Sequence, residues 1–170
     1  IVTWTATDVA DNTASTEQRI ILIDEMSPVL QLPEDIVVEA TSSDQNEVEL
    51  GSVTATDNID IALVTNDAPD TFPLGETVVT WTATDSSGNF ATVTQTVSVV
   101  DTTAPEILPL EDITTEATSI AENIVNFDNP SVLDVQEISL TNNAPEFFPL
   151  GETIVTWTAT DVADNTASTE

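Results

Sequence analysis

No histidine, cysteine, tyrosine or lysine occurs among the 170 residues, and Arg19 is the only basic side chain. These absences remove most catalytic chemistry. A Ser-His or Cys-His nucleophile pair cannot be assembled, nor can a zinc site of imidazole or thiolate ligands, and there is no amine for a Schiff base or a phosphate cradle. Carboxylates are the remaining acid–base groups. Glycoside hydrolysis needs two of them flanking a cleft with their pKa values pushed apart, and 31 acids spread along the chain single out no such pair. The expectation is that the protein is not an enzyme.

The formal net charge of −30 works against nucleic acid and anionic membrane surfaces, both of which are bound by clustered Lys and Arg. Self-repulsion among so many carboxylates is relieved by salt or by divalent cations, which points to a saline or calcium-rich setting. Without cysteine no disulfide staples the fold and the compartment cannot be read from redox chemistry. No apolar run is long enough to span a bilayer and no signal-peptide pattern opens the chain at Ile1.

What the chain does contain is repetition. Residues 1–17, IVTWTATDVADNTASTE, recur letter for letter at 154–170, a spacing of 153 residues. A degenerate period divides that one. GETVVTWTATDSSGN at 75–89 matches GETIVTWTATDVADN at 151–165, and EDIVVEATS at 34–42 matches EDITTEATS at 111–119, with offsets of 76 and 77. Each long repeat is therefore two related domains, A and B, of about 76 residues, joined by short Pro-containing linkers at 24–28 (DEMSP) and 101–105 (DTTAP). Domain A spans 24–100. Residues 101–170 are domain B without its last strand, and residues 1–23 are the C-terminal strands of a preceding B-type domain. The expected context is one tile of a longer polypeptide or fibre. The alternative, donation of residues 1–23 to a neighbouring chain's B domain, meets the objection that two copies of the same 17 residues would compete for one slot.

Period-two alternation marks the strands. Val79, Trp81 and Ala83 face one way and Val78, Thr80, Thr82 and Thr84 the other, while Ala91, Val93, Val97 and Val99 form the inward set of 90–100. Their connection, DSSGN in A and DVADN in B, is a hairpin turn. Further strands are expected at 36–40, 48–56 and 62–65, with PLG at 73–75 turning into the Trp strand. Nothing has helical period. The fold class is all-β, as tandem immunoglobulin-like β-sandwich domains, each centred on one core tryptophan: Trp4, Trp81 or Trp157. The outward Thr rows are explained by β-propensity better than by ice binding or glycosylation.

The run PLGETVVTWTATDSSGNFATVTQTVSVVDTTAPEI, residues 73–107, resembles the second half of a hyalin-repeat (HYR) domain. The same half of B shows it, split between 148–170 and 1–28, while the first halves match only through PEDIVVEAT and LEDITTEAT. The resemblance implies an immunoglobulin-like fold, an extracellular or cell-surface location, a part in adhesion and no catalytic residues. It also implies a cysteine in the strand where Trp81 and Trp157 stand here, so that an aromatic core residue replaces the disulfide of many members.

Acidic loops carry the remaining chemistry, since calcium takes six to eight oxygens from carboxylates, amides and carbonyls. Three places supply them: the hairpin loops with Asp8, Asp11 and Asn12, with Asp85 and Asn89, and with Asp161, Asp164 and Asn165; the cluster Asp57, Asn58 and Asp60; and the junctions with Asp24, Glu25 and Asp101. A hairpin loop facing the junction into the next domain would let one calcium ion stiffen the joint. No EF-hand spacing is present, and turn preference alone also places Asp and Asn in such loops. The expected function is a repeat unit of an extracellular stalk, fibre or filament in cell-surface adhesion, stiffened by calcium. The alternative is an adhesive module recognising a protein or glycan, but the two candidate loops, NDAPDTF at 66–72 and NNAPEFF at 142–148, are too alike to suggest specialised recognition. The expected partners are neighbouring repeats of the same polypeptide or identical chains in a fibre, with any glycan or protein ligand elsewhere in the full protein, and neither nucleic acid nor membrane insertion.

Overall fold

A computed structural model describes residues 1–170. Thirteen strands form all of its regular structure, and no helix is long and apolar enough to cross a membrane. The chain packs as two compact units: one holds 1–32, 53–66 and 81–93, the other 33–52, 67–80 and 94–170. This division cuts across the long hairpin of domain A.

In the first unit, β1 (Val2–Thr7) and β2 (Thr13–Gln18) pair as an antiparallel hairpin from Val2↔Gln18 to Thr7↔Thr13. Every residue of both strands is exposed. Trp4, read from the sequence as a core residue, is 60% exposed. Alternation gives a strand two faces, but only a facing layer makes one of them a core, and this hairpin has none. The Trp4 indole N–H donates to Gln18 Oε1 at 3.0 Å instead. The two-residue strands β3 (Val29–Leu30) and β5 (Ala55–Thr56) pair with each other. The strand β6 (Ile61–Asn66) runs antiparallel to the end of β7 (Gly75–Asp85), from Ile61↔Asp85 to Asn66↔Trp81, with a bulge-type irregularity between Ile61 and Leu63.

In the second unit, β4 (Ile36–Glu39) lies parallel to the end of β8 (Phe90–Val100), from Ile36↔Val97 to Glu39↔Val100. The order in this sheet is β4-β8-β7-β6. Domain B contributes β9 (Glu106–Ile107) paired with β10 (Val132–Leu133), and a three-stranded sheet of β11 (Ile138–Asn142), β12 (Trp157–Asp161) and β13 (Thr166–Thr169). The strand expected across 48–56 is only the ladder at Ala55–Thr56. Gly51, at φ 78°, takes the backbone out of the extended region just before it.

Burial follows the alternation where a second layer exists. Val79, Trp81, Ala83, Val97 and Val99 are buried in A, as are Trp157 and Ala159 in B. Ala91 and Val93, assigned inward from the sequence, are only half-buried. Phe127 meets both Trp157 and Phe148 edge to face, with ring centroids 5.9 and 6.2 Å apart.

Three amides share these interiors. Gln95, on the same face of β8 as Val97 and Val99 but not among the residues expected inside, is 1% exposed and donates to the carbonyls of Glu34 (2.7 Å) and Leu50 (3.4 Å). Buried Asn46 accepts at Oδ1 from the N–H of Thr41 (2.8 Å) and of Ser42 (3.0 Å), and donates to the carbonyls of Ser42 and Phe72, both at 2.9 Å. Asn123 repeats the arrangement in B with Thr118, Ser119 and Phe148. These contacts satisfy backbone groups in a part of each domain that forms little ladder.

Candidate cation-binding sites

The two candidate sites begin in the hairpin turns. The Asp85 N–H donates to the Asn89 carbonyl at 3.0 Å, closing a turn in which Gly88 takes φ 94°. In the matching turns Asp11 (φ 63°) and Asp164 (φ 67°) occupy the left-handed position, which short polar side chains tolerate better than most. Their place is set by turn geometry, and neither joins a carboxylate cluster.

The first aspartate of each turn is held rigidly. Asp85 Oδ1 accepts from the N–H of Ser87 and of Asn89, both at 2.8 Å, and Oδ2 from the Asn89 side-chain amide at 2.7 Å. Burial pushes the Asp85 carboxyl up, but these hydrogen bonds, led by the Asn89 side chain, outweigh it and hold the carboxyl below its ordinary value. These hydrogen bonds favour its charged form. Asp161 is bound the same way by the N–H and side-chain amide of Asn165, at 2.8 and 2.7 Å.

Around each of these aspartates two more carboxylates converge. Asp24, Asp57 and Asp85 bring one oxygen apiece to within 4.8 Å of one another, and Asp101, Asp134 and Asp161 do the same. One member comes from the linker that enters the domain, one from the loop before the strand that pairs with the Trp strand (β5 to β6 in A, β10 to β11 in B) and one from the hairpin. The hairpin aspartate thus faces the junction leading into its own domain, a geometry different from the expected facing of the next one. The Asn89 side chain ties linker to hairpin by donating to the Asp24 carbonyl at 3.2 Å, and Asn165 does so to the Asp101 carbonyl at 3.2 Å.

The two triads differ in compensation. In the first, Asp24 Oδ1 accepts from Met26 N–H (3.2 Å) and the Asn58 amide (3.3 Å), while Asp24 Oδ2 is buried with no hydrogen-bond partner. In the second, Gln136 places its side-chain amide 2.8 Å from Asp101 Oδ2. Three mutually repelling carboxylates with an orphaned buried oxygen and no basic group suit a hard cation with oxygen ligands.

Of the residues expected at such a site, Asp24, Asp57, Asp85, Asp101 and Asp161 are brought together, with Asn58, Asn89 and Asn165 supporting them through side-chain nitrogens. Glu25 and Asp60 stand outside the clusters. Asp8 and Asn12 form the same turn, with Asn12 donating to Asp8 from its backbone (2.9 Å) and side chain (2.8 Å), but no second carboxylate approaches. Asp134 was missed, although the offset of 77 that maps Asp24 onto Asp101 maps Asp57 onto Asp134. Its surroundings, LDVQE against TDNID, hide the match in plain reading.

A second carboxylate secures the joint between A and B. Glu39 accepts from the backbone N–H of Thr102 (2.8 Å), the Thr102 hydroxyl (2.8 Å) and the Thr103 hydroxyl (2.9 Å), which hold its carboxyl below the ordinary 4.5. A folded-state pKa that is depressed contributes stability above the unfolded value, and that contribution is lost as pH falls through the folded one. Glu39→Gln is therefore expected to lower the urea midpoint at neutral pH, with the gap to the unsubstituted chain closing below pH 4.5; a gap that does not change with pH would count against this role for the charge.

A sandwich of short strands, repeated in tandem, with an aspartate triad at the entrance to each copy defines a class of β-repeat module. The HYR domain model matches residues 23–99 and again 100–170, and the chain belongs to that family. It is 33% identical, over 99% of its length, to hyalin of Lytechinus variegatus and 35% identical, over 98%, to hyalin of Strongylocentrotus purpuratus. It spans 35% and 15% of those relatives' own lengths. It is also 37% identical, over 57% of its length, to a stretch making up 3% of the sushi, von Willebrand factor type A, EGF and pentraxin domain-containing protein 1 of Rattus norvegicus.

Proposed function

We propose that this chain is a non-catalytic repeat segment of an extracellular, adhesion-related stalk, and that calcium held by Asp24, Asp57 and Asp85, and by Asp101, Asp134 and Asp161, stiffens the entrance to each domain. Membership of the HYR family and the likeness to hyalin support the adhesive setting. The 153-residue repeat and the short linkers support reach as the function. The observation that carries the calcium reading is the buried, partnerless Asp24 Oδ2 beside two further carboxylates. A divalent cation there would satisfy that oxygen, offset most of the triad's negative charge and clamp linker, loop and hairpin together. Calcium fits better than magnesium, which sheds its water reluctantly and demands stricter geometry.

The test is thermal unfolding in chelator, then with calcium, magnesium or sodium at matched ionic strength. A specific ligand stabilises by mass action, about 2.7 kcal/mol per site at a hundredfold excess over Kd. Calcium is expected to raise the melting temperature beyond the other salts, and Asp24→Asn with Asp101→Asn to remove that excess. Equal shifts with every salt would leave only a screened acidic surface and reject the proposal.

A further inference from the structure

The two aspartate triads form an internal comparison, because each is built from equivalent positions of its own domain. In both, the backbone N–H two residues after the linker aspartate caps one of its oxygens: Met26 donates to Asp24 Oδ1 at 3.2 Å and Thr103 to Asp101 Oδ1 at 3.2 Å. In both, the N–H two residues after the loop aspartate turns back onto it, from Ile59 to Asp57 at 3.0 Å and from Gln136 to Asp134 at 2.7 Å. The backbone frames therefore match, and the offset that maps Asp57 onto Asp134 maps Asn58 onto Val135 and Ile59 onto Gln136.

What differs is where the loop sends its one side-chain amide. In A the amide belongs to Asn58 and reaches Asp24 Oδ1 at 3.3 Å, the oxygen that Met26 already serves, so that Oδ2 is left buried and without a partner. Ile59, next along the loop, is 64% exposed and carries no donor. In B the amide comes one residue later, and Gln136 reaches Asp101 Oδ2 at 2.8 Å, the oxygen whose counterpart is orphaned in A. A shift of one residue in the loop thus moves the donor from one carboxylate oxygen to the other.

Affinity is the difference in free energy between the filled and the empty site. A buried carboxylate oxygen with no partner raises the free energy of the empty site, and a cation relieves it. An oxygen that already holds an amide N–H offers no such gain, and the positive end of the amide dipole opposes an incoming cation. We propose, on the reading that calcium fills both triads, that Gln136 sets the second triad to a lower calcium affinity than the first, its amide standing in for the cation when calcium is scarce. The entrance to A then tightens at low calcium and the entrance to B only at higher calcium, so the two sites fill in order.

The test is a calcium titration of the 170-residue chain at constant ionic strength, with magnesium as control, followed by nuclear magnetic resonance. The backbone N–H groups of Asn89 and Asn165 report the two triads separately, since each donates to the hairpin aspartate of one triad at 2.8 Å. The Asn165 midpoint is expected to lie at least about tenfold above that of Asn89, the factor set by the low end of the range for a hydrogen bond to a charged group. Val135→Asn with Gln136→Ile gives B the residues of A and is expected to bring the Asn165 midpoint down to that of Asn89. The reciprocal exchange, Asn58→Val with Ile59→Gln, is expected to raise the Asn89 midpoint by a similar factor. Tighter binding on removal of Gln136 is not what loss of a merely structural contact produces. Equal midpoints in the unsubstituted chain, or a weaker second site without Gln136, the sign that its carbonyl is a ligand, would overturn this role for Gln136 and leave the calcium reading in place. Signals that respond to calcium no more than to magnesium would reject the calcium reading and the order of filling together.

Discussion

Trp81→Ala is expected to destabilise the protein by about 3–5 kcal/mol, the range for deleting a large buried aromatic side chain, while Trp4→Ala changes stability by no more than about 0.5 kcal/mol, as surface substitutions do. Both tryptophans sit in the same local sequence, VTWTATD, so strand propensity cancels between them. What differs is the second layer: Trp81 is 6% exposed, flanked on its strand face by buried Val79 and Ala83, and Trp4 is 60% exposed on a hairpin with no facing layer. Urea unfolding followed by circular dichroism separates the two. Equal losses would show that the hairpin at the start of the chain packs as a core, contrary to the structure.

Asn46→Ala is the other substitution expected to have a large effect, about 3 kcal/mol, since each buried group left without a partner costs about 1–3 kcal/mol, while the Phe72 carbonyl keeps the Asn46 backbone N–H at 3.0 Å. The Asn46 side chain serves four backbone groups at once: the N–H of Thr41 and of Ser42 and the carbonyls of Ser42 and Phe72. Alanine removes all four bonds from a residue that is 2% exposed. Asn46→Asp isolates the donor half, because a carboxylate still accepts from the two N–H groups but faces the two carbonyls with like partial charge. Loss of similar size in both variants would place the weight on the Ser42 and Phe72 carbonyls; a small loss in both would mean that water replaces the amide. Asn123→Ala is expected to do less, because its surroundings include an open groove of domain B, where water can reach the freed groups.

Composition and period, read from sequence alone, settled a good deal of this molecule. The absence of histidine, cysteine and lysine removed whole classes of chemistry before any fold was considered. Strict alternation from Val78 to Thr84 identified a two-faced strand, because side chains on an extended backbone point to opposite sides in turn; the buried set Val79, Trp81 and Ala83 follows from it. The hairpin aspartates were legible as turn residues and as possible ligands for the same reason, that short carboxylates fit tight loops.

Alternation does not say whether a second layer exists, and for that reason Trp4 and Trp81 could not be told apart. Nor does it identify polar residues inside. Gln95, Asn46 and Asn123 belong to residue types found mostly at surfaces, and only the convergence of backbone carbonyls and N–H groups around them makes their burial tolerable. The triads needed the fold for a similar reason. Asp24, Asp57 and Asp85 are far apart along the chain, and the closing of linker, loop and hairpin at one end of a domain is a matter of sheet topology, which no local pattern encodes. Sequence by itself determined the long alternating strands, the repeat and the charge, since these depend on residue type and spacing. Tertiary structure decided which faces became core and which carboxylates met, since both depend on segments brought together from distant parts of the chain.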